Sequence, residues 1–224
     1  RVKKEGEFIM RNSLCEKMMW IALSPTIFKF IKENWKEVDI RQIKKLSKQN
    51  YKNMIQRTPD IGSLRKNSLR IPLAGGMLWL SIYDAMNGKM DREGFDKMVE
   101  ATIQAPLLKN SFQKSNPFIL ENQKKMMEKS KVANSVSDSE FNWNTEMIYG
   151  RDEDEYTILY HRCGLCALGK QEHHEELIPY MCKIDYETFK LMGAVLHRSS
   201  TLAEGGDCCD FHVCKKGSKW DEGR

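Results

Sequence analysis

Phe141-Asn142-Trp143-Asn144-Thr145-Glu146-Met147-Ile148-Tyr149, then the acidic turn Gly150-Arg151-Asp152-Glu153-Asp154, then Tyr156-Thr157-Ile158-Leu159-Tyr160-His161, is where this chain changes its period. Before it, apolar residues recur at helical spacing. Here they alternate, as in strands that bury one face. Two alternating runs joined by a short polar turn predict a β-hairpin. With helices before it and further strands after it, the fold class is α+β. A helical N-terminal half packs with a small antiparallel sheet and one or two helices in the C-terminal half.

Working upstream, the polar connector Asn134 to Glu140 separates a helical part, residues 1–136, from a Cys/His-rich α+β part, residues 137–224; the two can equally form one integrated domain. Residues 7–57 predict two helices. Phe8, Ile9, Leu14, Met18 and Ile21 mark the first, and Ser24 reads as an N-cap that places Pro25 in a first turn. Ile27, Phe30, Ile31, Trp35, Val38, Ile43, Leu46 and Ile55 continue the stripe, with a break near Asp39. Thr58 to Gly62 is a turn. A helix over 66–87 contains Gly75-Gly76, read as a close helix contact with room for a ligand as the alternative, and Asn87-Gly88 ends it. Asp91 caps a helix over 92–104, Pro106 interrupts it, and another helix covers 117–133. Downstream, 164–192 is helical, with Pro179 opening a second segment and Gly193 closing it. Strands follow at 194–200 and 209–214, joined through the turn Gly205-Gly206-Asp207.

The chain has 224 residues, of which 41% are hydrophobic, enough for a globular core. The net charge of +5 comes from short runs such as Arg1-Val2-Lys3-Lys4 and Lys124-Lys125, which read as solvated surface. There is no basic stripe interleaved with aromatics, so nucleic acid is not an expected partner. No apolar run reaches the roughly 20 residues that span a bilayer. Arg1 as first residue reads as a trimmed fragment or a gene-prediction artefact, which leaves room for an upstream targeting segment. Seven cysteines, an odd number without a secretion signal, point to reduced thiols in a cytoplasm.

All five histidines and six of the seven cysteines lie beyond residue 160, and thiol and imidazole chemistry is expected there. Cys163-Gly164-Leu165-Cys166 has metal-ligand spacing. Zinc on Cys163 and Cys166 would need two more ligands, from Cys182, Cys208-Cys209 or a histidine; adjacent Cys208 and Cys209 point to opposite faces of a strand, so at most one can join. Without zinc no cofactor is expected. Cys182 and Asp185, three apart on a helix, share a face. His197 is the best-placed general base. Gly205 and Gly206 can offer backbone N–H groups to a developing oxyanion. Asp210, beside Cys209 on a central strand, needs a partner such as Arg198 or His197, or works. His173-His174 read as an exposed helix face. Cys15, Cys166 and Cys214 read as small buried hydrophobes.

The order Tyr160-His161-Arg162-Cys163, Cys166-Ala167-Leu168-Gly169, Cys182-Lys183-Ile184-Asp185-Tyr186 and Gly205-Gly206-Asp207-Cys208-Cys209-Asp210-Phe211 resembles the L-2-amino-thiazoline-4-carboxylic acid hydrolase family. The resembling part covers about a quarter of the chain. Matched positions are Cys163, Cys182, Asp185, Tyr186, Gly205, Gly206, Cys209 and Asp210. The resemblance implies a bacterial, cytoplasmic hydrolase of a non-peptide C–N bond in a small cyclic amidine, opening the ring to an N-carbamoyl-cysteine. In that reading Cys182 or Cys209 is the nucleophile, His197 activates it, Asp185 or Asp210 protonates or binds the amidine, and Tyr186 and Arg198 join Gly205 and Gly206 in holding substrate. Direct attack by water, driven by a carboxylate, fits as well. The partner is then a small-molecule substrate, with no nucleic acid and no membrane; a homo-oligomer stays open. The competing readings are a non-catalytic small-molecule-binding or sensor module and a zinc-stabilised structural protein.

Overall fold

Ser13 starts the first helix, α1 (Leu14–Asn34), with a reciprocal cap: its side chain accepts from the backbone of the first turn, while its own N–H and hydroxyl donate to Glu16 Oε2 at 2.7 and 2.6 Å. The computed structural model describes residues 9–11 and 13–221, so Phe8 and the basic run at 1–4 lie outside the described residues. Ser24 is not a cap, and Pro25 lies inside α1. Burial of Leu23, Ile27, Phe28 and Ile31 explains this. At roughly 1.5–3 kcal/mol each, these side chains outweigh the roughly 3 kcal/mol cost of an interior proline. Leu14, Met18 and Ile21 sit on the outer face of α1 and are exposed. The chain breaks instead at Asp39, which caps α2 (Ile40–Arg57) by accepting from Arg41 and Gln42.

Helix α3 (Arg70–Met86) is the centre of the helical layer, and most of its residues are buried. It packs against α1, α2 and a later helix, α7 (Gly164–Glu172). A side chain on Gly76 would run into Leu165 and Leu168 of α7, so the glycine lets the two helices approach. Asn87 ends α3 in the left-handed conformation, φ 49°. Asp91 caps α4 (Arg92–Ile103) through Gly94 N–H at 2.8 Å. Pro106 starts a short helix that the periodicity did not signal, α5 (Pro106–Gln113), since a first-turn proline loses no intrahelical bond. Helix α6 (Leu120–Val136) runs into the polar stretch read as a connector.

The hairpin forms as expected, from β1 (Asn144–Tyr149) and β2 (Glu155–Arg162). After α7, two short helices follow, α8 (Ile178–Cys182) and α9 (Ile184–Leu191), then β3 (Ala194–His197) and β4 (Cys209–Lys215). His173 and His174 do not sit on a helix face. His173 ends α7 at φ 60°, and His174 Nε2 pairs with Asp84 at 2.7 Å. Strand β3 stops at His197 because the next backbone N–H groups, of Ser199 and Ser200, turn to the Asp210 carboxylate. Among the described residues the sheet has four strands in the order β1-β2-β4-β3, all antiparallel.

One face of this sheet, with Met147, Tyr156, Leu196, Cys209, Phe211 and Val213, is buried in an apolar cluster with Phe118. A second cluster joins α1–α4 to Phe141, Trp143, Leu168, Leu177, Ile178 and Met181. The family of contacts that positions the site is therefore drawn from both halves of the chain. No helix among the described residues is long and apolar enough to cross a membrane.

Candidate active site

Where the two clusters meet, a cavity of about 140 Å³ opens between the start of α3, the α7–α9 segment and the buried face of the sheet. Leu69, Pro72, Trp79, Trp143, Leu165, Met181, Ile184 and Phe211 form its apolar walls; Tyr160, Cys163, Cys182, Asp185, Arg198 and Cys209 supply its polar groups. Trp79 is held by a 3.1 Å bond from Nε1 to Thr102 Oγ1.

Asp185 and Arg198 form the charged centre. Arg198 Nη1 donates to Asp185 Oδ2 at 2.9 Å and Nη2 to the Cys182 carbonyl at 3.1 Å. The guanidinium lies 4.8 Å from the Tyr186 ring centre and 5.0 Å from that of Phe211, a stacked setting that fixes its plane. Burial pushes the Asp185 carboxyl up to about 6, although Arg198 pulls the other way.

The three thiols of the cavity differ. Burial pushes Cys182 well above the ordinary thiol range and Cys209 up to about 11; the Cys209 sulfur accepts Leu202 N–H at 3.2 Å. Cys163 goes the other way. It occupies the N-cap position of α7. Its sulfur makes no tight cap bond, but the Cys166 thiol first, and then the amides of Cys166 and Leu165, favour its thiolate and hold it below the ordinary value. The same pairing, with burial, pushes Cys166 up.

The strand period of two separates the other expected residues from this cavity. Asp210 and His197 face the opposite side of the sheet from Cys209 and Leu196. Asp210 takes neither Arg198 nor His197 as partner. It accepts from Ser199 N–H, Ser199 Oγ and Ser200 N–H, at 3.0, 2.5 and 2.7 Å. Gly205 and Gly206 already donate their N–H groups to Leu202 and Thr201 carbonyls, so neither is left for an oxyanion. Tyr186 does not line the cavity; it lies against Arg198 and is 41% exposed. Among the described residues no third ligand atom joins Cys163 and Cys166 within metal-binding reach.

The signal for Cys163 was present: a cysteine just before a helix start is where thiolates are favoured. Trp79, Trp143, Leu69 and Pro72 carried no such signal, because their convergence depends on how α3 meets α7. Gly164 also matters here. A side chain on it would collide with the Phe141 carbonyl and the Trp143 ring. Gly164→Ala is expected to push the first turn of α7 outward, costing about 1–3 kcal/mol and moving Cys163; urea unfolding and the rate of Cys163 alkylation together test this.

A small open cavity lined by Cys163, whose thiolate is favoured, and by the half-buried Asp185–Arg198 pair, on an α+β frame, is the arrangement of a site for a small polar molecule. The chain belongs to the L-2-amino-thiazoline-4-carboxylic acid hydrolase family, whose model matches residues 73–213. The match reaches back into α3, far beyond the quarter of the chain that carried the resemblance, and it contains Tyr160, Cys163, Cys182, Asp185, Arg198 and Cys209. No curated protein and no solved structure matches the chain.

Proposed function

We propose that this chain hydrolyses a small cyclic amidine carrying a carboxylate, such as L-2-amino-thiazoline-4-carboxylate. The observation that carries this reading is the Asp185–Arg198 pair beside Cys163 in one cavity. Such a substrate is a cation at its amidinium and an anion at its carboxylate. Asp185 accepts from the amidinium, and Arg198, released in part from Asp185, takes the carboxylate.

Cys163 thiolate adds to the amidine carbon, which lies between sulfur and nitrogen and is electrophilic. The C=N electron pair moves to nitrogen and returns as the ring C–S bond breaks, so the ring sulfur leaves and takes a proton. The amidine carbon is then held on Cys163. Water adds to it, Cys163 leaves, and a carbamoyl group remains on nitrogen. An N-carbamoyl product thus requires cleavage of the ring carbon–sulfur bond, and not of the C–N bond that the resemblance implied, with water entering at the amidine carbon.

The direct test is product formation from 2-amino-thiazoline-4-carboxylate by the reduced protein, followed by mass spectrometry. Stoichiometric binding without turnover would turn the site into a binding module. The pH profile is a second test. Asp185 must be charged to hold an amidinium, so kcat/KM is expected to rise with pH through about 6. Asp185→Asn should remove this limb and lower kcat/KM by about 10²–10³-fold. Because the folded state raises this carboxyl, it also loses stability as pH rises from about 4 to about 6, and Asp185→Asn should flatten that slope.

A further inference from the structure

The sheet face turned away from the cavity carries its own cluster of donors. Glu155 on β2 and Cys214 on β4 are partners across the sheet, and His212 lies two residues before Cys214, on the same face. The ligand atoms of all three lie within 4.8 Å of one another. His212 Nε2 is 2.9 Å from Glu155 Oε2, and Cys214 Sγ is 3.7 Å from either ring nitrogen of His212. On the far side of His212, β3 places His197 as its direct partner, with ring centres 5.8 Å apart. His197 Nε2 is buried and has no hydrogen-bond partner among the described residues. The ring nitrogens of His197 are not among the donor atoms that lie within 4.8 Å of one another.

We propose that Glu155, His212 and Cys214 form a zinc-type transition-metal site on this face of the sheet, the fourth position of the ion being left to water or a small ligand. One thiolate, imidazole nitrogen and one carboxylate are the ligands of zinc or its near neighbours, not of calcium or magnesium, which take oxygen alone. Around a tetrahedral ion bonded at about 2.0–2.3 Å, donor atoms lie roughly 3.5 Å apart. The sulfur–imidazole spacing already has this value, and the Glu155–His212 contact opens by well under an ångström to reach it. The three donors sit on adjacent paired strands, a rigid frame that needs no loop to order.

Arg151 is the competing cation. Its Nε donates to Glu155 Oε1 at 2.6 Å and its Nη2 to Oε2 at 3.0 Å, and it stacks 3.4 Å over Trp220. An ion would take Oε2, leaving Oε1 with Arg151 Nε and the Arg151 backbone N–H, which is 2.9 Å away. Arg151 then orients the ligand from behind, as groups bonded to metal ligands do. This reading is independent of the hydrolase: the site lies on the other side of the sheet from Cys163 and Asp185.

The test uses the reduced full chain without a histidine tag, loaded with zinc chloride or cobalt chloride, dialysed, and read by elemental analysis and absorption spectroscopy. The expected result is about one zinc per chain and, with cobalt, a thiolate-to-metal band with the spectrum of a tetrahedral ion. Cys214→Ser and Glu155→Gln, both nearly isosteric, should each weaken zinc binding by at least about 100-fold. The thiolate band should vanish in Cys214→Ser and persist in a Cys163→Ser/Cys166→Ser variant. Failure of the wild-type chain to bind zinc would overturn the proposal. So would binding that survives Cys214→Ser, or that is lost only with Cys163 and Cys166. Either pattern is visible even where one variant does not fold, since the wild-type cobalt spectrum and the Cys163→Ser/Cys166→Ser variant stand alone.

Discussion

Cys163→Ser is expected to lower turnover of a cyclic amidine by at least about 10³-fold, the scale on which an essential nucleophile is lost, with little change in folding. Serine keeps the size of the side chain, so the first turn of α7 stays where it is. What goes is the thiolate. Cys163 is the cavity thiol whose ionised form is favoured, by the Cys166 thiol and the amides at the head of α7. Cys182 and Cys209 line the same cavity, but burial keeps both protonated. Cys182→Ser and Cys209→Ser should therefore stay within about tenfold of the parent rate, through small changes of packing. Iodoacetamide at neutral pH, with the modified residue located by mass spectrometry, should label Cys163 first, and substrate should slow the labelling. Full activity in Cys163→Ser would remove the covalent route and leave water attack beside Asp185.

Arg70→Met is expected to cost about 3–5 kcal/mol of stability, the scale for breaking one side of a buried ion pair. Arg70 is 3% exposed at the head of α3 and ties together four segments. Its Nε donates to Glu16 Oε1 at 2.7 Å, Nη1 to Asp60 Oδ1 and to the Gly62 carbonyl, both at 2.6 Å, and Nη2 to the Arg11 carbonyl at 3.0 Å. Glu16 is fully buried, and its other oxygen closes the cap of α1. Removing the guanidinium leaves this carboxylate charged and dry, along with two carbonyls that have lost their donor. At roughly 2–4 °C per kcal/mol for a chain of this size, the melting point should fall by roughly 6–20 °C. Arg70→Met combined with Glu16→Gln should recover part of the loss, because the amide keeps the cap and carries no charge. A double variant no better than Arg70→Met would mean that the carbonyls, and not Glu16, carry the penalty.

Most of the elements were legible because their causes are local. Asp91, Asn87-Gly88, the hairpin turn and the alternation in β1, β2 and β4 act within a few residues. Pro25 misled for the same reason: its local cost is real, and only the buried neighbours Leu23, Ile27, Phe28 and Ile31 overrule it. Helix α5 carried too little apolar pattern to be seen; among its residues none is buried. In the site, Asp185, Arg198, Cys182 and Cys209 were singled out from residue type and position, and the fold brings all four together. His197, Asp210, Gly205 and Gly206 were singled out on the same grounds, and they lie elsewhere. A period of two assigns neighbouring strand residues to opposite faces, but it does not say which face meets the helices.

By itself, then, the sequence determined the α+β class, the hairpin, the caps and turns, and the concentration of thiols and imidazoles beyond residue 160, because propensity, periodicity and capping act along the chain. Only the tertiary structure decided the rest. It brought Arg198 to Asp185 across a helix and a strand, put Trp79 of α3 and Cys163 into the lining of one cavity, and put Glu155 beside His212 and Cys214 on the far face of the sheet. Those meetings join residues far apart in the chain, and they are settled by which surfaces bury against each other, a property of the packed whole that no local window contains.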